Sequence, residues 1–98
     1  MTYLDPIAEA IKQQVPKDAL PAEDATDLFR AYAVLLLAKG EDVTRRDVHN
    51  AWVAWMTTRG KRHPSMRPFE ELPEDTKAED SPFVNAIRHV ARLGAVER

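Results

Sequence analysis

The sequence predicts an all-α protein: one compact single domain of four main helices, with a proline-rich strap between the third helix and the last. Three observations predict it. Apolar residues recur at helical spacing in four separate stretches. Asp, Thr or Ser stands beside a proline or an acidic residue where each stretch begins. No alternating apolar–polar run, internal repeat or low-complexity tract rises above noise. With 98 residues the chain reads as one domain over 1–98, because a second core would be starved of material.

The first element is DPIAEAIKQQV, with Asp5 as the expected N-cap and Pro6 at the first helical position, where a missing N–H costs nothing. Ile7, Ala10 and Ile11 draw one apolar stripe, and the helix should end near Pro16. PKDALPAED has two prolines and no period, so it reads as a connecting loop. The second helix is expected to start near Asp24 or Thr26 and to run through Lys39, with Gly40 as a left-handed terminator. Leu28, Phe29, Tyr32, Ala33, Leu35, Leu36 and Leu37 nearly surround it, which predicts the central helix of the core. Thr44 caps the third helix, with Asp47 supplying an acidic group in its first turn. Val48, Trp52 and Trp55, flanked by His49, Val53 and Met56, give that helix a broad buried face.

Prolines at 64, 68 and 73 then forbid a continuous helix. HPSMRPFEELPEDTK, residues 63 to 77, reads as a semi-rigid strap anchored by Phe69 and Leu72, with a short acidic helix beginning at Pro73. Ser81 and Pro82 open the last helix, whose stripe runs through Phe83, Val84, Ile87, Val90, Ala91 and Leu93 to Gly94.

Composition excludes several classes of function. The absence of cysteine rules out disulfides and thiolate metal sites or nucleophiles. A formal charge of -2 and a pI near 5.9 disfavour nucleic-acid binding, which usually shows as a basic balance. The longest apolar block, AYAVLLLA, is far below the roughly 20 residues that span a bilayer. No secretory leader is read at the start, so the expectation is no membrane association and a cytoplasmic location. His49, His63 and His89 match no metal pattern. Nucleophile motifs and phosphate-cradling glycine loops are absent, which predicts no enzyme, no metal and no cofactor.

His49 lies one turn before Trp52 on a face rich in buried residues, so its ring must either be satisfied at the core boundary or border a pocket. Trp52 and Trp55 diverge by about 60° around the helix. One is expected at the centre and the other at an edge, where a planar ligand would stack. Arg59, Lys61, Arg62 and Arg67 fall within nine residues, either as helix-dipole and solubility charges or as an anion site. Six carboxylates follow between Glu70 and Asp80. They read as exposed and poised for pairing with the basic stretch rather than for acid–base chemistry. His89 is expected on the solvent side of the last helix.

The order His49, Trp52, His63-Pro64, Pro68-Phe69, Leu72-Pro73, Lys77 and Asp80 before a closing helix resembles the repeat domain of ryanodine receptors, over about residues 48–91. The chain is also similar to small proteins of high-GC bacteria and their phages. It departs from the repeat domain at TTRGKR, where that family has a Gly-Trp-x-Tyr-Gly-like stretch. The resemblance implies a non-enzymatic module binding a nucleotide or nucleotide-derived signal, in the bacterial cytoplasm or, for a phage protein, the host's. His49 and Trp52 would stack and orient the ligand, with His63 and Arg67 on the link, and charge alone adds Arg62. The alternative is a protein-interaction or self-assembly module, in which the tryptophan face is core and the charged 59–80 segment meets a partner.

Overall fold

The structure is a computed structural model that describes residues 3–94. It contains α1 (Leu4–Gln14), α2 (Thr26–Lys39), α3 (Arg45–Thr58), a one-turn α4 (Glu74–Ala78) and α5 (Ser81–Arg92), and no strand among those residues. The four main helices and the strap are therefore as the sequence predicts. The Cα radius of gyration of 12.9 Å agrees with the ~13 Å of a folded chain of about 100 residues.

Helix α2 crosses the middle and packs against α1, α3 and α5. Leu28, Phe29, Tyr32, Ala33 and Leu36 bury its inward faces. Ile7, Ala8 and Ile11 meet them from α1; Val84, Ala86, Ile87 and Val90 do so from α5. Phe29, Tyr32 and Phe83 form an aromatic cluster with centroids 5.4–6.4 Å apart. Arg88 of α5 donates two bonds, of 2.7 and 3.1 Å, to the Val43 carbonyl, which ties α5 to the link between α2 and α3.

The start of α3 follows the predicted cap. Thr44 and Asp47 each accept a hydrogen bond from the other's backbone N–H, so two end donors are satisfied by one pair of side chains. Lys39 adds an ion pair to Asp47 at 2.9 Å.

Several details differ from expectation. α1 begins at Leu4, so Asp5 lies inside its first turn and pairs with Arg30 at 2.8 Å. Gly40 does take a positive φ of 58°, but its ψ of -125° is outside the left-handed helical well, and a short 3-10 turn follows over Gly40–Asp42. Leu37 and Val34 are 43% and 50% exposed, because α1, α3 and α5 leave one side of α2 bare. Leu93 is also exposed, as α5 ends at Arg92. The residue before α5 is Asp80, and its side chain makes no capping bond.

Candidate functional site

The two tryptophans of α3 separate as their spacing requires. Trp55 is buried and its outer face carries the Arg59 guanidinium at 4.7 Å. Trp52 is half-buried and lines a cleft of about 610 Å³ between α3, the strap and the start of α5.

His49 fixes one wall of this cleft. The ring is 3% exposed, and its Nε2 lies 2.6 Å from the Arg67 carbonyl oxygen. A carbonyl only accepts, so Nε2 carries the proton and donates. In the neutral ring Nδ1 is then an acceptor. The same bond pins the strap to α3, and Phe69 packs beside His49 at 6.0 Å. Leu72 is buried. Phe69 is half-buried, with Lys77 lying over its ring at 5.2 Å. Both expected anchors of the strap thus hold it down.

Three of the residues singled out in the sequence come together here. His49, Trp52 and His63 all line the cleft, with Trp52 stacked obliquely on His49 at 5.8 Å and edge-on to His63 at 5.3 Å. The exposed His63 accepts at Nδ1 from the Ser65 backbone N–H. Arg62 and Arg67 do not line the cleft. Arg62 is exposed, and the Arg67 guanidinium donates to the Glu71 carbonyl at 3.3 Å. Arg67 therefore shapes the site through its backbone oxygen rather than its charge. Its neighbour Arg59 is held by Glu23 at 2.8 Å and by the Asp24 carbonyl. The acidic stretch pairs with the start of α3, Glu70 with Arg46 and Glu74 with Arg45, and not with the basic link as expected.

Residue types alone did not single out Tyr32 and Asp80 as part of this floor. Tyr32 is 1% exposed and lines the cleft. Burial, aided by the Asp80 charge, raises its pKa and keeps the phenol neutral. Asp80 is half-buried at the same floor with no ion pair among the described residues. Burial pushes its carboxyl up to about 6, opposed by the charges of His49 and Arg45 and reinforced by Glu79. The expectation of uniformly exposed carboxylates fails at this position, because the strap folds Asp80 inward as it enters α5. Among the described residues no group of three or more His, Asp or Glu could hold a metal ion, and no helix is long and apolar enough to cross a membrane.

Fold and site together define a small all-α domain whose strap closes one side of an aromatic cleft. The chain belongs to the family described as a domain of unknown function, DUF7701, whose model matches residues 2–92. That match corrects the resemblance to ryanodine receptor repeats, which no family match accompanies. Of the positions that carried it, His49, Trp52, His63 and Phe69 make local contacts between the strap and α3. No curated protein and no solved structure matched the chain.

Proposed function

We propose that the protein is a non-enzymatic binding module for a planar small molecule, the base-like part of a nucleotide or related signal, seated in the Trp52 cleft. The observation that carries this reading is a cleft with apolar walls and a few polar groups at its floor. Trp52, Trp55, Met56, Phe83 and Leu28 line it beside Tyr32, His49 and Asp80. Sites for small ligands combine largely apolar walls with a few placed polar groups. A half-buried indole offers a stacking face.

Calorimetry against a panel of nucleobases, nucleosides and nucleotides tests the reading, with the Trp52 indole N–H followed by NMR. The expected result is saturable binding that shifts this resonance and weakens at least about tenfold in Trp52→Ala. A stably folded protein that binds no planar compound would sink it. The assembly reading, in which the charged 59–80 segment meets a partner or a second copy, would then remain, and light scattering would examine it.

A further inference from the structure

The floor of the cleft offers acceptors, and the Tyr32 hydroxyl can donate as well. Among the described residues neither the Tyr32 hydroxyl nor His49 Nδ1 has a hydrogen-bond partner, although both residues are more than nine-tenths buried. Yet no buried side-chain polar atom among the described residues is left without a partner. These two atoms must therefore retain solvent contact, and the space both residues line is the cleft. With Nε2–H donating to Arg67, Nδ1 is an acceptor in the neutral ring. The carboxylate of Asp80 is an acceptor as well.

Among the described residues no lysine or arginine lines the cleft. Of its carboxylates, Glu23 is held by Arg59, whereas Glu79 and Asp80 are in no ion pair among the described residues. The nearby cation Arg45 is drawn to Glu74 and to the Phe69 ring. The positive end of α5 is no substitute as a phosphate seat. It carries Asp80 as its own anion, and Pro82 removes one of its free N–H donors.

From this arrangement we infer that the cleft selects an unphosphorylated, planar nitrogen cation rich in N–H donors, such as an amidinium or a protonated amino-heterocycle. Its charge faces Asp80, its N–H groups face Tyr32 and His49, and its plane lies against Trp52. This rests on the small-molecule reading above and narrows its ligand class. A half-buried carboxylate forms charge-assisted hydrogen bonds with a cation, the indole face adds cation–π attraction, and a phosphate would enter beside the Glu79 and Asp80 carboxylates in a cleft whose described lining has no lysine or arginine.

Benzamidinium and its neutral isostere benzamide separate the charge term from shape, and adenosine against adenosine monophosphate isolates the phosphate. Calorimetry on the full chain is expected to show benzamidinium binding at least about tenfold tighter than benzamide. That ratio should collapse toward one in Asp80→Asn and return in Asp80→Glu, with circular dichroism confirming the fold of each variant. Adenosine should bind more tightly than its monophosphate. Equal affinity for the two benzene derivatives, an unchanged ratio in Asp80→Asn, or a tighter monophosphate would each overturn the cation assignment. If benzamide still shifts the Trp52 indole N–H in that event, the binding-module reading stands without it. If none of the four compounds shifts that resonance, both fall.

Discussion

The N-terminal ends of α3 and α5 each carry an aspartate, and the two are built in opposite ways. At α3, partial burial acts to raise the Asp47 carboxyl. The Lys39 ammonium and the bonds from Thr44 outweigh it and hold the group below its ordinary value. At α5, Asp80 has burial without a bonded partner, and its carboxyl rises to about 6. One terminus is closed and contributes stability. The other keeps a desolvated charge facing a cleft, an arrangement that costs stability unless something arrives to pair with it. The difference teaches where this small domain holds its unsatisfied chemistry: on the strap side, not in the α1–α2–α5 core.

The largest expected effect comes from the residue that joins these regions. His49→Ala removes a buried ring and leaves the Arg67 carbonyl without its donor. A loss of about 2–3 kcal/mol is expected, measured by urea denaturation. Hydrogen exchange should show the amides of Met66 and Leu72 losing protection before those of α2. If α2 and the strap instead open together at the old stability, the strap is not pinned by this bond.

Next is the closed terminus. Thr44→Ala removes the acceptor for the Asp47 N–H and half of the reciprocal cap. This should cost about 1–2 kcal/mol, read from the thermal midpoint. A change below about 0.5 kcal/mol would mean that the Lys39–Asp47 ion pair carries the terminus alone.

The open terminus should respond with the opposite sign. The folded pKa of Asp80 is raised above its ordinary 3.8, so in this range the native state binds more protons than the unfolded chain. The cost of its charge is fully present above about pH 6, shrinks as the pH falls from about 6 toward 3.8, and is gone below that. Asp80→Asn should therefore stabilise the protein at pH 7 by about 1 kcal/mol after allowance for its half exposure. The gain should vanish near pH 4. Denaturation midpoints of both proteins at the two pH values check this, and a pH-independent difference would remove the titration from the account.

Much of the fold was legible because local rules and tertiary packing agree. Thr44 with Asp47 is a cap in the sequence and in the structure, and the spacing of Trp52 and Trp55 fixed one ring inside and the other at an edge. Leu37 escaped because an apolar run cannot show which side of a helix lacks a neighbour. The site was half legible. His49, Trp52 and His63 stood out by residue type and position, whereas Asp80 looked like any member of an acidic run until the strap folded it inward. Arg67 was chosen for its guanidinium and serves the site through its carbonyl. Residue identity does not encode a backbone contribution, and Arg62, chosen for its charge alone, stands outside the cleft lining.

The smallest expected effect is at Arg62, and it divides the two views of where a ligand's charge would go. The guanidinium is exposed and lies away from the cleft lining, so Arg62→Ala should change stability by less than about 0.5 kcal/mol. A phosphate grip on the basic link would need this residue, and its loss would weaken nucleotide binding roughly in proportion to ligand charge. A cleft that reads a planar cation through Asp80 has no use for it. Nucleoside and nucleotide affinities should both be unchanged in Arg62→Ala. A selective loss of the nucleotide would move the site onto the strap and turn the unpaired floor of the cleft into a structural cost without a ligand.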